Sequence, residues 1–94
     1  MFGQVPIDLS QVKEENIDKE ILRTAIIAEL DAINVYEQMA ARSKNTDLKI
    51  VLMDIANEEK THMGEFLELL LRLDPQQVKE LAEGKGEIEE LLGK

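Results

Sequence analysis

Ninety-four residues, 44% of them hydrophobic and 3% aromatic, suffice for one small domain with a single core. Twenty acidic and eleven basic residues give a formal net charge of −9, which argues against a nucleic-acid partner, because neutralising phosphates requires clustered Lys and Arg. Cysteine is absent, which excludes disulfides, thiolate metal sites and thiol catalysis, so any metal must be held by carboxylate, imidazole or water.

The start, MFGQVPIDLS, lacks the basic region and apolar core of a signal peptide. No apolar run approaches membrane-spanning length, so no membrane partner and a cytoplasmic location are expected. Residues 1–17, with Gly3 and Pro6, read as an extended arm before a helical domain over 18–94. Leu, Ile, Ala, Glu and Lys dominate that domain and favour helix over strand. A first helix is expected from about Asp18 to Lys44, where SKNTD breaks the pattern and Asn45 or Thr46 can cap the next helix. The second should run from about Asp47 to Leu73. Asp74 and Pro75 then fit the N-cap and first position of a short third helix ending near Gly84. GKG reads as a flexible joint and EIEELLGK as a last helical turn.

Steps of four and three on the first helix pick out Leu22, Ile26, Glu29, Ile33, Tyr36 and Ala40. On the second they select Leu48, Leu52, Ile55, Glu59, His62, Phe66, Leu69 and Leu73. Both are seams of the kind that pack helix on helix. Glu29, Glu59 and His62 interrupt them, and a bare carboxylate in a seam costs several kcal/mol unless partnered. If the turn centres near Asn45, all three lie at roughly the same height, about 24 Å from it at 1.5 Å per residue. Glu-x-x-His alone would be weak in so acidic a chain; the convergence is the signal.

Two carboxylates and an imidazole suit iron or manganese, and zinc less exclusively. A carboxylate-bridged two-metal site takes four Glu and two His: one Glu from each of two helices and Glu-x-x-His from each of the other two. This chain carries half of that set. A second copy would complete it and would cover the apolar face that a lone hairpin leaves open. Against these stand structural readings: Glu29 as a buried carboxylate paired with a base, though no basic residue shares its stripe, and Glu59–His62 as a structural pair. Glu58, Glu65 and Glu68 read as solvated, and Met39, Met53 and Met63 as packing.

From Glu29, Glu59 and His62, with Tyr36 seven residues after the first Glu, the chain resembles a half-length member of the ferritin-like, rubrerythrin-type superfamily, most similar to encapsulated ferritin. The resemblance covers residues 18–94. It implies an all-α antiparallel hairpin with a short C-terminal helix, completed by dimerisation into a ferritin-like four-helix bundle. It also implies ferroxidase activity, with Glu29, Glu59 and His62 as catalytic metal ligands of a dinuclear iron site between subunits, in iron storage and detoxification. Manganese and zinc are the expected substitutes. Ring-shaped decamers held inside an encapsulin nanocompartment are implied as well. Tyr36 either bonds a ligand carboxylate or is an aromatic core residue. Asp31 stands at one of two acidic positions proposed to attract incoming metal; Ala28 occupies the other, Val35 replaces the family's Trp, and EELLGK does not resemble its shell-directing tail. Two other functions stay open: a rubrerythrin-like peroxide reductase served by a separate electron donor, and a helical oligomerisation module whose polar seam residues only fix register.

Overall fold

The computed structural model describes residues 7–94, which form three α-helices: α1 (Ile17–Arg42), α2 (Thr46–Leu73) and α3 (Pro75–Leu92). Residues 1–6 of the expected arm lie outside the described residues. The rest of the arm is not extended throughout, because Leu9–Gln11 and Glu14–Asn16 each close a 3₁₀ turn. Asp8 organises the first turn by accepting from the Ser10 N–H at 3.1 Å and the Ser10 hydroxyl at 2.6 Å.

α1 begins with Asp18 and Glu20 in its first turn and ends with Arg42 in its last, each sign matched to the helix dipole. The chain reverses over residues 43–45: Ser43 turns extended, its hydroxyl accepts from the Asn45 N–H at 3.1 Å, and the Asn45 side chain caps α2 by accepting from the Leu48 N–H at 3.0 Å. Of the two expected caps, the structure uses Asn45. So short a turn leaves α1 and α2 antiparallel, and their mutual packing provides most of the tertiary contact in the chain.

The seam between them is narrow. Leu22 and Leu70 are buried at one end, Ala40 and Leu52 at the other, with Ile33 and Ala56 between. The second-helix stripe expected from the sequence is corrected in part: Leu48, Leu69 and Leu73 are 47–50% exposed and do not belong to the buried seam. They lie on the flank of α2 that also carries His62, since steps of seven residues return to nearly the same helical azimuth. The apolar stripe is thus wider than α1 alone covers.

Asp74 is the buried polar residue at the α2–α3 elbow, 9% exposed. One carboxylate oxygen caps α3 through the Gln77 N–H at 3.1 Å; the other takes the Arg23 guanidinium of α1 at 3.4 Å. Pro75 follows at the first helical position, as expected. The expected end of α3 near Gly84 is corrected: the helix runs through Gly84 and Gly86 to Leu92, and Gly93 closes it with a left-handed φ of 74°. Two glycines cost about 1 kcal/mol each relative to alanine, which weakens a helix without forbidding it. The described chain measures 46 × 44 × 19 Å, broad in two directions and about two helices thin in the third.

Candidate metal centre

Glu29 sits at the middle of α1, and Glu59 and His62 at the middle of α2. Helical side chains lean toward their own N-terminus, so in an antiparallel pair Glu29 leans away from the turn while His62 leans back toward it. The structure brings the three together: one donor atom from each lies within 4.8 Å of the others. His62 Nδ1 stands 3.7 Å from Glu29 Oε2 and 3.6 Å from Glu59 Oε2.

Those separations are too long for hydrogen bonds. Two donors that each lie ~2.1 Å from one ion are themselves separated by roughly 3–4 Å, so both spacings fit shared ligation. Burial supports the same conclusion. Glu29 Oε2 is a buried oxygen that accepts no hydrogen bond, although its side chain is only 18% exposed. An orphaned carboxylate oxygen is costly, and a cation is the partner that would satisfy it. The donor set, two carboxylates and an imidazole, belongs to iron-type or manganese-type chemistry.

The three donors are not equally enclosed. Both carboxylates are largely buried, whereas the imidazole side chain is 46% exposed and opens onto the same flank of α2 as Leu69 and Leu73. The site is therefore a half-shell, closed by the hairpin on one side and open on the other.

Tyr36 is half-buried on α1, and its hydroxyl is not a partner of Glu29 Oε2. Asp31 is half-buried but lies outside the cluster, because two residues along a helix turn the side chain about 200° away. Glu58, Glu65 and Glu68 are exposed, as expected of solvated positions. Two ion pairs between helices were missed from the sequence. Lys60 on α2 reaches Glu37 on α1 at 3.3 Å, and Arg23 reaches Asp74. The signal for the first was available in principle, since Glu37 leans away from the turn and Lys60 toward it, along crossing lines. No helix among the described residues is long and apolar enough to cross a membrane.

A sequence model of the EncFtn-like family matches residues 5–84. A ferritin-like–encapsulin shell fusion protein of Pyrococcus furiosus is 57% identical over 86 residues, which are 92% of this chain and 24% of that protein. The encapsulin nanocompartment cargo protein EncC of Myxococcus xanthus is 41% identical over 71 residues, 72% of this chain and 55% of the cargo protein. The chain thus spans about a quarter and about half of the lengths of these two relatives. The crystal structure of the encapsulated ferritin domain from Pyrococcus furiosus superposes with a TM-score of 0.85 at 48% identity, covering 97% of this chain and 98% of that one. The matched residues include both arms of the hairpin and all three members of the Glu–Glu–His cluster, and the chain belongs to the EncFtn-like encapsulated ferritin family.

Proposed function

We propose that the chain is a ferroxidase whose substrate is Fe(II), bound by Glu29, Glu59 and His62 and oxidised to Fe(III) at a dinuclear site completed by a second copy. The observation that carries this reading is the buried Glu29 oxygen, which accepts no hydrogen bond and stands 3.7 Å from an imidazole nitrogen. A register device would have satisfied that oxygen within the hairpin. A cation-binding carboxylate leaves it waiting.

The second copy is motivated by stoichiometry and by surface. One chain offers two carboxylates and one imidazole, half of the four Glu and two His that hold two ions in carboxylate bundles. The flank on which His62 opens also exposes Leu48, Val51, Leu69 and Leu73, so pairing two such flanks buries apolar area while joining the half-sites. Glu29, Glu59 and His62 of each copy would hold the two ions, with Glu59 the carboxylate available to both. Each Fe(II) gives up one electron. Dioxygen accepts both with two protons to form hydrogen peroxide, or peroxide accepts both with two protons to form two waters. The carboxylates favour the more highly charged product ion, which makes the oxidation easier. The shell fusion and cargo character of the relatives supports an encapsulin shell as the compartment in which the oxidised iron collects.

The test combines Fe(II) oxidation with solution mass. Sedimentation in chelator and then in excess Fe(II) without oxidant should show metal-driven association, because an ion bound only by the assembled state shifts the equilibrium toward it. Unchanged mass and no Fe(III) formation on admission of air would remove the shared-site model.

A further inference from the structure

We propose that Met39 is a site of peroxide oxidation on the face that completes the metal centre, and that its sulfoxide blocks the joining of two copies. The proposal rests on the shared site argued above and names how the product of that site would regulate it. Ile21 of α1 and Leu69 of α2 line one cleft at the end of the hairpin far from the turn, on the flank where His62 opens. Met39 follows Ile21 by eighteen residues and Val51 precedes Leu69 by eighteen, which is five full turns of each helix. Both therefore return to the azimuth of the cleft, and in an antiparallel pair the equal steps also return them to one level. Met39 thus stands level with Val51 near the turn, as Ile21 does with Leu69 at the other end. Glu29, Glu59 and His62 fall midway. A single flank runs from the cleft across the metal centre to Met39, roughly 15 Å from Glu29 along the helix.

Met39 is 43% exposed and Val51 53%, so both are open in a single chain and covered when that flank is paired. The other described methionines differ in place. Met53 is nearly as open, at 39%, but lines a hollow with Ile50, Asp54 and Asn57, about 160° round α2 from Val51. Met63 is half-buried. With no cysteine in the sequence, a thioether is the softest nucleophile the chain offers to peroxide. Its sulfur attacks one peroxide oxygen. The O–O bond breaks, an S–O bond forms, sulfur loses two electrons, and the other oxygen, taking the proton of the first, leaves as water. The hydrogen peroxide for this step is the product of dioxygen reduction by two Fe(II) at the shared site. A sulfoxide oxygen is a strong acceptor, the neighbouring Val35 and Val51 carry no side-chain donor, and burying it among them is costly. Donors lie outward, on Gln38 and Arg42, which line the hollow beside Met39, so the oxidised side chain is drawn off the pairing face. Peroxide then halts the assembly of further sites, and reduction of the sulfoxide restores it.

The test treats the metal-free chain with hydrogen peroxide and removes the excess with catalase. Peptide mass spectrometry then locates the sulfoxides, and sedimentation in excess Fe(II) without oxidant measures association. Met39 should carry the sulfoxide, and metal-driven association should weaken by about tenfold or more. Met39→Leu should resist the treatment, Met53→Leu should not, and methionine sulfoxide reductase should return treated wild type to full association. Untreated Met39→Gln, a polar side chain of similar length and helix propensity, should reproduce the loss with helix content intact. The shared site is judged separately, on untreated wild type. If that chain does not associate in Fe(II), the metal-site reading itself fails and this proposal with it. If it does associate, an unoxidised Met39, equal losses in treated Met39→Leu and wild type, or full association of a chain sulfoxidised at Met39 would each overturn the proposal alone.

Discussion

Replacing Glu29 by leucine separates the cost of the proposed metal half-site from its use. In the chain without metal the Glu29 oxygen is buried without a hydrogen-bond partner, between Ile26 and Ile33 on the same helix face. A buried unsatisfied acceptor costs about 1–3 kcal/mol. With 18% of the side chain still exposed, the lower end applies, about 1 kcal/mol. Glu29→Leu keeps the volume, removes the orphan and adds apolar contact, so the metal-free variant should be more stable than wild type by that amount. For a domain of this size the gain raises Tm by roughly 4–8 °C. Thermal unfolding followed by circular dichroism in chelator, at one fixed protein concentration, measures it. Adding a divalent ion should then reverse the order. Wild type gains about 2.7 kcal/mol at a hundredfold excess over Kd, and the variant, short of a ligand, gains far less. A leucine variant that melts below wild type in chelator would show that the carboxylate has a structural partner, and the argument from the orphaned oxygen would fail.

His62→Ala should abolish most Fe(II) oxidation while helix content survives, whereas Glu65→Ala, one helical turn on at an exposed position, should change the rate modestly; wild-type oxidation by His62→Ala would refute the assignment. Asp74→Ala removes both the α3 cap and the Arg23 partner and should cost about 1–2 kcal/mol with a loss of helical signal, while Asp74→Asn, which can still cap, should lose about half as much; equal losses in urea melts would deny the cap its share.

The hairpin and the convergence of Glu29, Glu59 and His62 were legible in the sequence because polar residues in an apolar stripe stand out against its period. Height along an antiparallel pair is then simple counting from the turn. The division of the α2 stripe was not legible. Leu48, Leu69 and Leu73 share the spacing of Leu52 and Leu70, and spacing alone does not say whether a residue faces α1 or a neighbouring surface. The length of α3 was misjudged because Gly-Lys-Gly looks like a joint, while the penalty of two glycines is small enough for flanking helix formers to outweigh it. The Arg23–Asp74 contact joins residues 51 apart in sequence, and only the elbow geometry brings them together.

A body 19 Å thick has two broad faces and hardly any inside. Among the described residues no large side chain is fully buried, and the buried apolar core is six residues, three of α1 and three of α2. Such a chain has little to hold it shut by itself, and its amides should open to exchange on one timescale along the whole hairpin rather than in graded layers. With the open face closed by a second copy, as proposed, resistance to heat belongs to the solution as much as to the molecule, and diluting the protein should lower its melting point.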